Sequence, residues 1–190
     1  MTYDLPRQWD FQPVYKRLDG VFDADQCAQI VGLHADRDPM VSEMTVDSAS
    51  IRSSDLYWLP SDETELAWIY DRVREVVVEF NARTFQFEID GCMDMQLTRY
   101  GEGQHYDWHA DLSGLGASRR KLSVSVLLNA PKEFDGGDIQ YFESDTHKPS
   151  VPMARGDAAI FPSWYKHRVL AVTRGVRWSL VSWWTGPPFR

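Results

Sequence analysis

The stretch "YGEGQHYDWHAD", residues 100–111, sets two histidines and two aspartates among tyrosines and glycines. His109 and Asp111 are one residue apart, so on extended backbone their side chains point to one side and can reach one ion. An imidazole and a carboxylate make an incomplete site, and a further ligand must come from a distant segment. The candidates are His34, His105, His147 and His167. His105 forms a rival H-x-D with Asp107 and, on a regular strand, shares the face of His109 and Asp111; it reads as a neighbour of the site or part of a loop. His147, in "SDTHKPS", reads as a solvated turn residue, and His34 as a structural residue of a helix. His167 is the best placed: it opens a strand after "FPSWYK", with Arg177 expected on the partner strand across a turn at Thr173, Arg174 and Gly175. Two histidines and one carboxylate make a facial triad that leaves three positions of an octahedral Fe(II) open. Open positions of that kind are what oxygen chemistry needs.

Several elements must position these residues. Asp23 and Gln26 resemble a capping box, and apolar residues from Cys27 onward follow at helical spacing, which predicts a helix over 24–35. Residues 36–55, "DRDPMVSEMTVDSASIRSSD", are polar and show no sustained period, so a long loop of the kind that covers active sites is expected. From Asp62, the series Leu66, Ile69, Tyr70, Val73, Val77 and Phe80 predicts a second amphipathic helix backing a sheet. Beyond Arg83 the pattern changes to short strands: "MDMQLTRY", "KLSVSVLLN" with Leu122, Val124 and Val126 alternating with Ser123 and Ser125, "FDGGDIQYF" after a Gly-Gly turn, "GDAAIFP", and the pair flanking "TRG". Helices followed by strands give an α+β, mainly β fold: a jelly roll with the N-terminal helices packed on one sheet. A single domain over 1–190 is expected, with a helical and loop part over 1–90 and a core carrying the metal site over 91–190.

"YGEGQHYDWHAD", "GGDIQYF" and "HRVLAVTRGVRWSL", in that order, resemble the Fe(II)/2-oxoglutarate-dependent dioxygenases, and within them the prolyl-hydroxylase-like branch. The resemblance covers about Gln96 to Trp184. It implies a double-stranded β-helix with iron held by His109, Asp111 and His167 at one mouth. It also implies that Arg177 pairs with the distal carboxylate of 2-oxoglutarate, a task suited to a planar guanidinium, and that Tyr100 adds a hydrogen bond there. The implied activity is hydroxylation of an aliphatic carbon, with O2 and 2-oxoglutarate as co-substrates and succinate and CO2 as products. A carboxylate at Asp111, where related halogenases carry a small residue, favours hydroxylation. Collagen-type prolyl hydroxylases usually have lysine where Arg177 stands, so the substrate is expected to be a peptidyl, prolyl-like residue or an amino-acid-like small molecule.

Composition narrows the alternatives. Twenty Lys and Arg against 28 Asp and Glu give a net charge of −8, which argues against a surface that wraps nucleic acid and so against an AlkB-like demethylase. The run Arg119, Arg120, Lys121 reads as a solvated edge or, secondarily, a contact for an acidic substrate. Asn129 and Gln96 read as hydrogen-bonding residues near the motif. Trp164, Tyr165, Trp178, Trp183 and Trp184 are expected to fill the barrel, with one or two lining the pocket. The only two cysteines, Cys27 and Cys92, have no metal-ligand spacing and read as reduced thiols of a cytoplasmic protein. The start "MTYDLPRQWDF" lacks a leader pattern, and no apolar run has membrane-spanning length. A catalytically inactive jelly-roll binding module is the remaining alternative.

Overall fold

A computed structural model describes residues 14–46, 49–112 and 119–188; the segment read for a leader lies outside them. The chain forms β1 (Lys16–Leu18), α1 (Ala24–Gly32), β2 (Met40–Val46), β3 (Ala49–Leu59), α2 (Ala67–Arg83), β4 (Gly91–Cys92), β5 (Met95–Tyr100), β6 (His105–His109), β7 (Arg120–Leu127), β8 (Phe134–Gly136), β9 (Ile139–Tyr141), β10 (Ala158–Pro162), β11 (His167–Val169), β12 (Val172–Gly175) and β13 (Arg177–Thr185). One curled sheet runs β1-β10-β7-β13-β5-β3-β6-β11-β9, with β2 on β3 and β4 on β13, and β12 pairs with β8.

The capping box is present: the Asp23 carboxylate accepts from the Gln26 backbone N–H, and the Gln26 side chain accepts from the Asp23 N–H. The predicted periodicity of α2 is also present, with Leu66, Ile69, Tyr70, Val73 and Val77 buried. Both helices pack on one face of the sheet, against Met95, Leu97, Leu122, Val124, Val126, Leu180 and Trp184. Residues of the opposite parity on these strands face the interior of the curl: Gln96, Thr98 and Tyr100 on β5, Ser125 on β7, Arg177, Ser179, Val181 and Trp183 on β13. The period-two alternation of β7 and β13 is thus real, but its polar face is a cavity, and Ser123 and Ser179 are buried.

The structure corrects the expected loop over 36–55. β2 (Met40–Val46) instead pairs antiparallel with β3 (Ala49–Leu59), and β3 pairs with β5 through Asp55–Leu59 and with β6 through Arg52 and Ser53. This strand joins the two walls of the curl. Residues 52–55 are polar on both faces and residues 56–59 apolar on both, because the helix layer covers only the far end. The hydrophobic alternation that marks a strand is therefore missing.

The hairpin expected around Thr173–Gly175 is not formed either. These residues lie in β12, which pairs with β8, while β11 pairs with β6 and β9, and β13 with β4, β5 and β7. His167 and Arg177 accordingly stand on opposite walls, facing each other across the interior. Trp178 and Trp184 pack on the helix side, Trp164 is exposed, and Trp183 lines the cavity. Burial pushes the Cys27 thiol up to about 11 and the Cys92 thiol up to about 12, and neither forms a disulfide.

Candidate active site

His109, Asp111 and His167 converge, with their ligand atoms all within 4.8 Å of one another. The Nε2 of His109 lies 3.7 Å from Asp111 Oδ1, and the Nε2 of His167 lies 3.8 Å from Asp111 Oδ2. Each imidazole is oriented by a backbone carbonyl: His109 Nδ1 is 2.8 Å from Asp107 O, and His167 Nδ1 is 2.9 Å from Tyr165 O. A carbonyl oxygen only accepts, so Nδ1 of each ring carries a proton and Nε2 is the atom turned toward Asp111. Burial, together with the neighbouring His167, brings the His109 pKa down to about 3, which keeps that ring neutral. Burial raises the Asp111 pKa, but the two histidines and the Ser123 hydroxyl outweigh it and hold the carboxyl below its usual value. The Ser123 hydroxyl donates to Asp111 Oδ2 at 2.6 Å and lies 2.9 Å from Ser163 Oγ. Two imidazoles and one carboxylate, with their outer hydrogen bonds in place, form a ready cation site.

The strand register explains how they meet. Opposite β11, where His167 pairs with His109 and Val169 with Tyr106, β6 carries one extra residue. This bulge brings Tyr106 and His109, of opposite parity, to the same cavity, where the rings stack at 3.4 Å between centroids. The same break removes the rival ligand, because His105 falls outside both the metal cluster and the cavity lining. His34 meets Tyr57 edge-on and Trp178 at a tilt, and His147 is exposed beside Glu143.

Arg177 opens β13 directly across from Tyr100 of β5. It is 2% exposed, and neither of its terminal guanidinium nitrogens has a hydrogen-bond partner among the described residues. Its Cζ lies 5.8 Å from the Tyr100 ring centre. The Gly-Gly turn serves this side chain. Gly137 has φ +68°, and a Cβ there would lie 2.8 Å from Arg177 Cδ, so only glycine leaves room for the arginine stem.

Some residues of the cavity were not foreseen. Arg120, expected on a solvated edge, lines the cavity. The β7 register slips at Lys121, which is skipped between the Trp184↔Leu122 and Thr185↔Arg120 pairs. Arg120 therefore turns to the Ser123 face, with its Cζ 4.1 Å from the Trp183 ring centre and Nη1 donating to the Asp111 carbonyl at 3.2 Å. A bulge leaves no mark in composition. Arg52, in the segment expected as a loop, lies over the Tyr106 ring at 4.5 Å and donates to Ser54 and Gln96. Of the remaining candidates, Arg119 pairs with Asp90 outside, Lys121 is buried beside Gly186, and Asn129 bonds the backbone of Val176 and Trp178. The basic run is thus divided among three environments and forms no stripe.

Residues 95–185 match the family model of the 2OG-Fe(II) oxygenase superfamily. These residues, just under half of the chain, are similar to that superfamily. PKHD-type hydroxylases of Idiomarina loihiensis and Acaryochloris marina are 32% identical over 87 residues and 37% identical over 90 residues; each alignment covers 46% of this chain and 39% of the relative. The chain thus spans well under half the length of these curated relatives. The likeness of fold extends further than that of sequence. A Pseudomonas putida prolyl-4-hydroxylase superposes with a TM-score of 0.70 at 19% identity, covering 91% of this chain and 92% of its own. A Trichoplax adhaerens prolyl hydroxylase, in complex with a hypoxia inducible factor peptide fragment, gives 0.72 at 16% identity and covers 90% and 83%. These likenesses establish the double-stranded β-helix with its helical layer.

Proposed function

We propose that this protein is a hydroxylase that uses Fe(II), O2 and 2-oxoglutarate to oxidise an aliphatic carbon of a peptidyl, prolyl-like residue or an amino-acid-like small molecule. The observation that carries this reading is Arg177: a buried guanidinium with both terminal nitrogens unpartnered, in the same cavity as two imidazoles and a carboxylate. An unpaired buried charge costs several kcal/mol, and a bidentate carboxylate is the partner its geometry fits.

In this reading His109, Asp111 and His167 hold the iron, Arg177 binds the distal carboxylate of 2-oxoglutarate, and Tyr100 lies beside it as a second donor. The iron and co-substrate supply, when bound, the oxidative decarboxylation that yields succinate and CO2 and gives one oxygen atom to the substrate. The chain's own residues set position and exclude water. Ser123 fixes the Asp111 carboxylate, the carbonyls of Asp107 and Tyr165 fix the two ring tautomers, and Tyr106 covers the face of His109. The intact triad counts against an inactive module, and the divided basic run counts against nucleic acid.

The peptide held by the Trichoplax relative supports a peptidyl substrate, and the small cavity, about 270 Å³, supports a compact one. We further propose that residues 1–190 act as one domain, since β1 and β3 complete the sheet that carries the site, and that the protein works in the cytoplasm, in keeping with its two free thiols. Among the described residues no helix is long and apolar enough to cross a membrane. The test is succinate formation by iron-loaded protein when oxygen is admitted, compared between wild type and His167→Ala. Succinate from the wild type alone supports the reading; none from folded, iron-loaded wild type, with candidate substrates present, rejects it.

A further inference from the structure

Arg52 and Arg120 line the same cavity as the triad and Arg177. Neither forms a salt bridge among the described residues. Arg52 is spent on Ser54, Gln96 and the Tyr106 ring, and Arg120 on the Asp111 carbonyl, the Met93 sulfur and the Trp183 ring. Acidic residues outnumber basic ones in the whole chain, yet its main cavity is lined by three arginines and one carboxylate. A cationic cavity in an anionic protein is a local field that selects an anion.

Counting charge shows how much anion is needed. A divalent metal ion, Asp111 and the dianion of 2-oxoglutarate leave one negative charge, which Arg177 cancels. Arg52 and Arg120 remain uncompensated, and half-buried cations without counterions are costly. Arg52 also hydrogen-bonds the Tyr100 hydroxyl, so it stands between the Arg177 end of the cavity and the metal ligands. Arg120 is tied to the backbone of Asp111 and Arg52 stands behind Tyr106, so the two flank the metal ligands. Met40 and Ser42 of β2 and Trp58 of β3 line this part with them.

We propose that Arg52 and Arg120 form a carboxylate-binding subsite for the substrate, so that the compound oxidised carries a free carboxylate rather than an uncharged peptide segment. The carboxylate belongs to an amino-acid-like small molecule or to a peptide C-terminus; the chemistry is the same. The inference rests on the oxygenase reading of the site.

The test is anaerobic calorimetry on Mn(II)-loaded protein saturated with 2-oxoglutarate, titrating N-acetyl-L-proline and its uncharged twin N-acetyl-L-prolinamide. Charge-assisted hydrogen bonds make the acid bind tighter by roughly tenfold or more. Arg120→Gln and Arg52→Gln each remove most of that preference, while Arg120→Lys keeps part of it. Acetyl-Ala-Gly-Pro as the free acid, titrated beside N-acetylproline, ranks a peptide C-terminus against a small molecule. Equal affinity for acid and amide, including the case in which neither binds, overturns the proposal. Titration of 2-oxoglutarate alone separates the two readings: failure there removes the oxygenase assignment, whereas success there with equal acid and amide binding removes only the carboxylate subsite.

Discussion

The hydroxyls of Tyr70 and Tyr141 are both buried, one between the helices and the sheet and the other inside the curl, and only the first is satisfied. Tyr70 donates to the Leu59 carbonyl at 2.5 Å and accepts from the Met95 N–H at 2.8 Å, tying α2 to β3 and β5. The Tyr141 hydroxyl has no partner among the described residues; nor do the Trp183 indole nitrogen and the two Arg177 guanidinium nitrogens, all on β9 or β13. Buried polar groups are satisfied almost everywhere in folded proteins. Here Arg177 and Trp183 line one cavity, beside ligand atoms already oriented. The helix-side core stabilises the fold, while the interior of the curl gives up stability to keep donors ready for a ligand.

Substitutions at the two cores should separate these roles. The largest effect is expected at the triad: His167→Ala or Asp111→Ala should abolish iron binding in equilibrium dialysis and reduce succinate formation to background, with the fold retained by circular dichroism. Next comes Arg177→Ala, which should weaken 2-oxoglutarate binding by roughly a hundredfold, two charge-assisted hydrogen bonds being lost, while iron binding persists. Arg177→Met should raise the melting temperature of the ligand-free protein by about 2–4 °C, because it removes an unpaired buried charge. A drop instead would mean that the guanidinium is part of the core.

Tyr70→Phe should cost about 1–3 kcal/mol in denaturant unfolding, since it strands a buried N–H and C=O, while Tyr141→Phe should be neutral or stabilising. Equal losses at both would erase the contrast between the cores. The last contrast is a pH dependence of the metal-free protein. The His109 pKa is about 3 in the folded state and near 6.5 when unfolded. Between those values the unfolded chain binds more protons, so stability should fall as pH drops through that window. His109→Gln should flatten the slope measured by chemical denaturation.

The legible parts of the sequence were those where one residue type answers to one environment. The capping box at Asp23, the apolar stripe of α2 and the Ser/Val alternation of β7 each reflect a local periodicity, and the spacing of His109, Asp111, His167 and Arg177 reflects a shared cavity. What escaped was set by register. The extra residue in β6 that turns Tyr106 beside His109, and the slip at Lys121 that turns Arg120 inward, are one-residue shifts that change which face a side chain occupies. The pairing of β2 with β3 was hidden because β3 leaves the helix layer half-way along and lines a polar cavity on its other face. His167 and Arg177, close in sequence, were expected on neighbouring strands. They face each other only because β12 carries the chain from one wall to the other.

The central claim, that the cavity is prebuilt for iron and 2-oxoglutarate, is tested most directly by visible absorption under strict exclusion of oxygen. Fe(II)-loaded protein titrated with 2-oxoglutarate should develop a saturable metal-to-ligand charge-transfer band, absent in His167→Ala and requiring roughly a hundredfold more co-substrate in Arg177→Ala. No band from folded, iron-loaded wild type, or a titration unchanged by Arg177→Ala, would contradict the account.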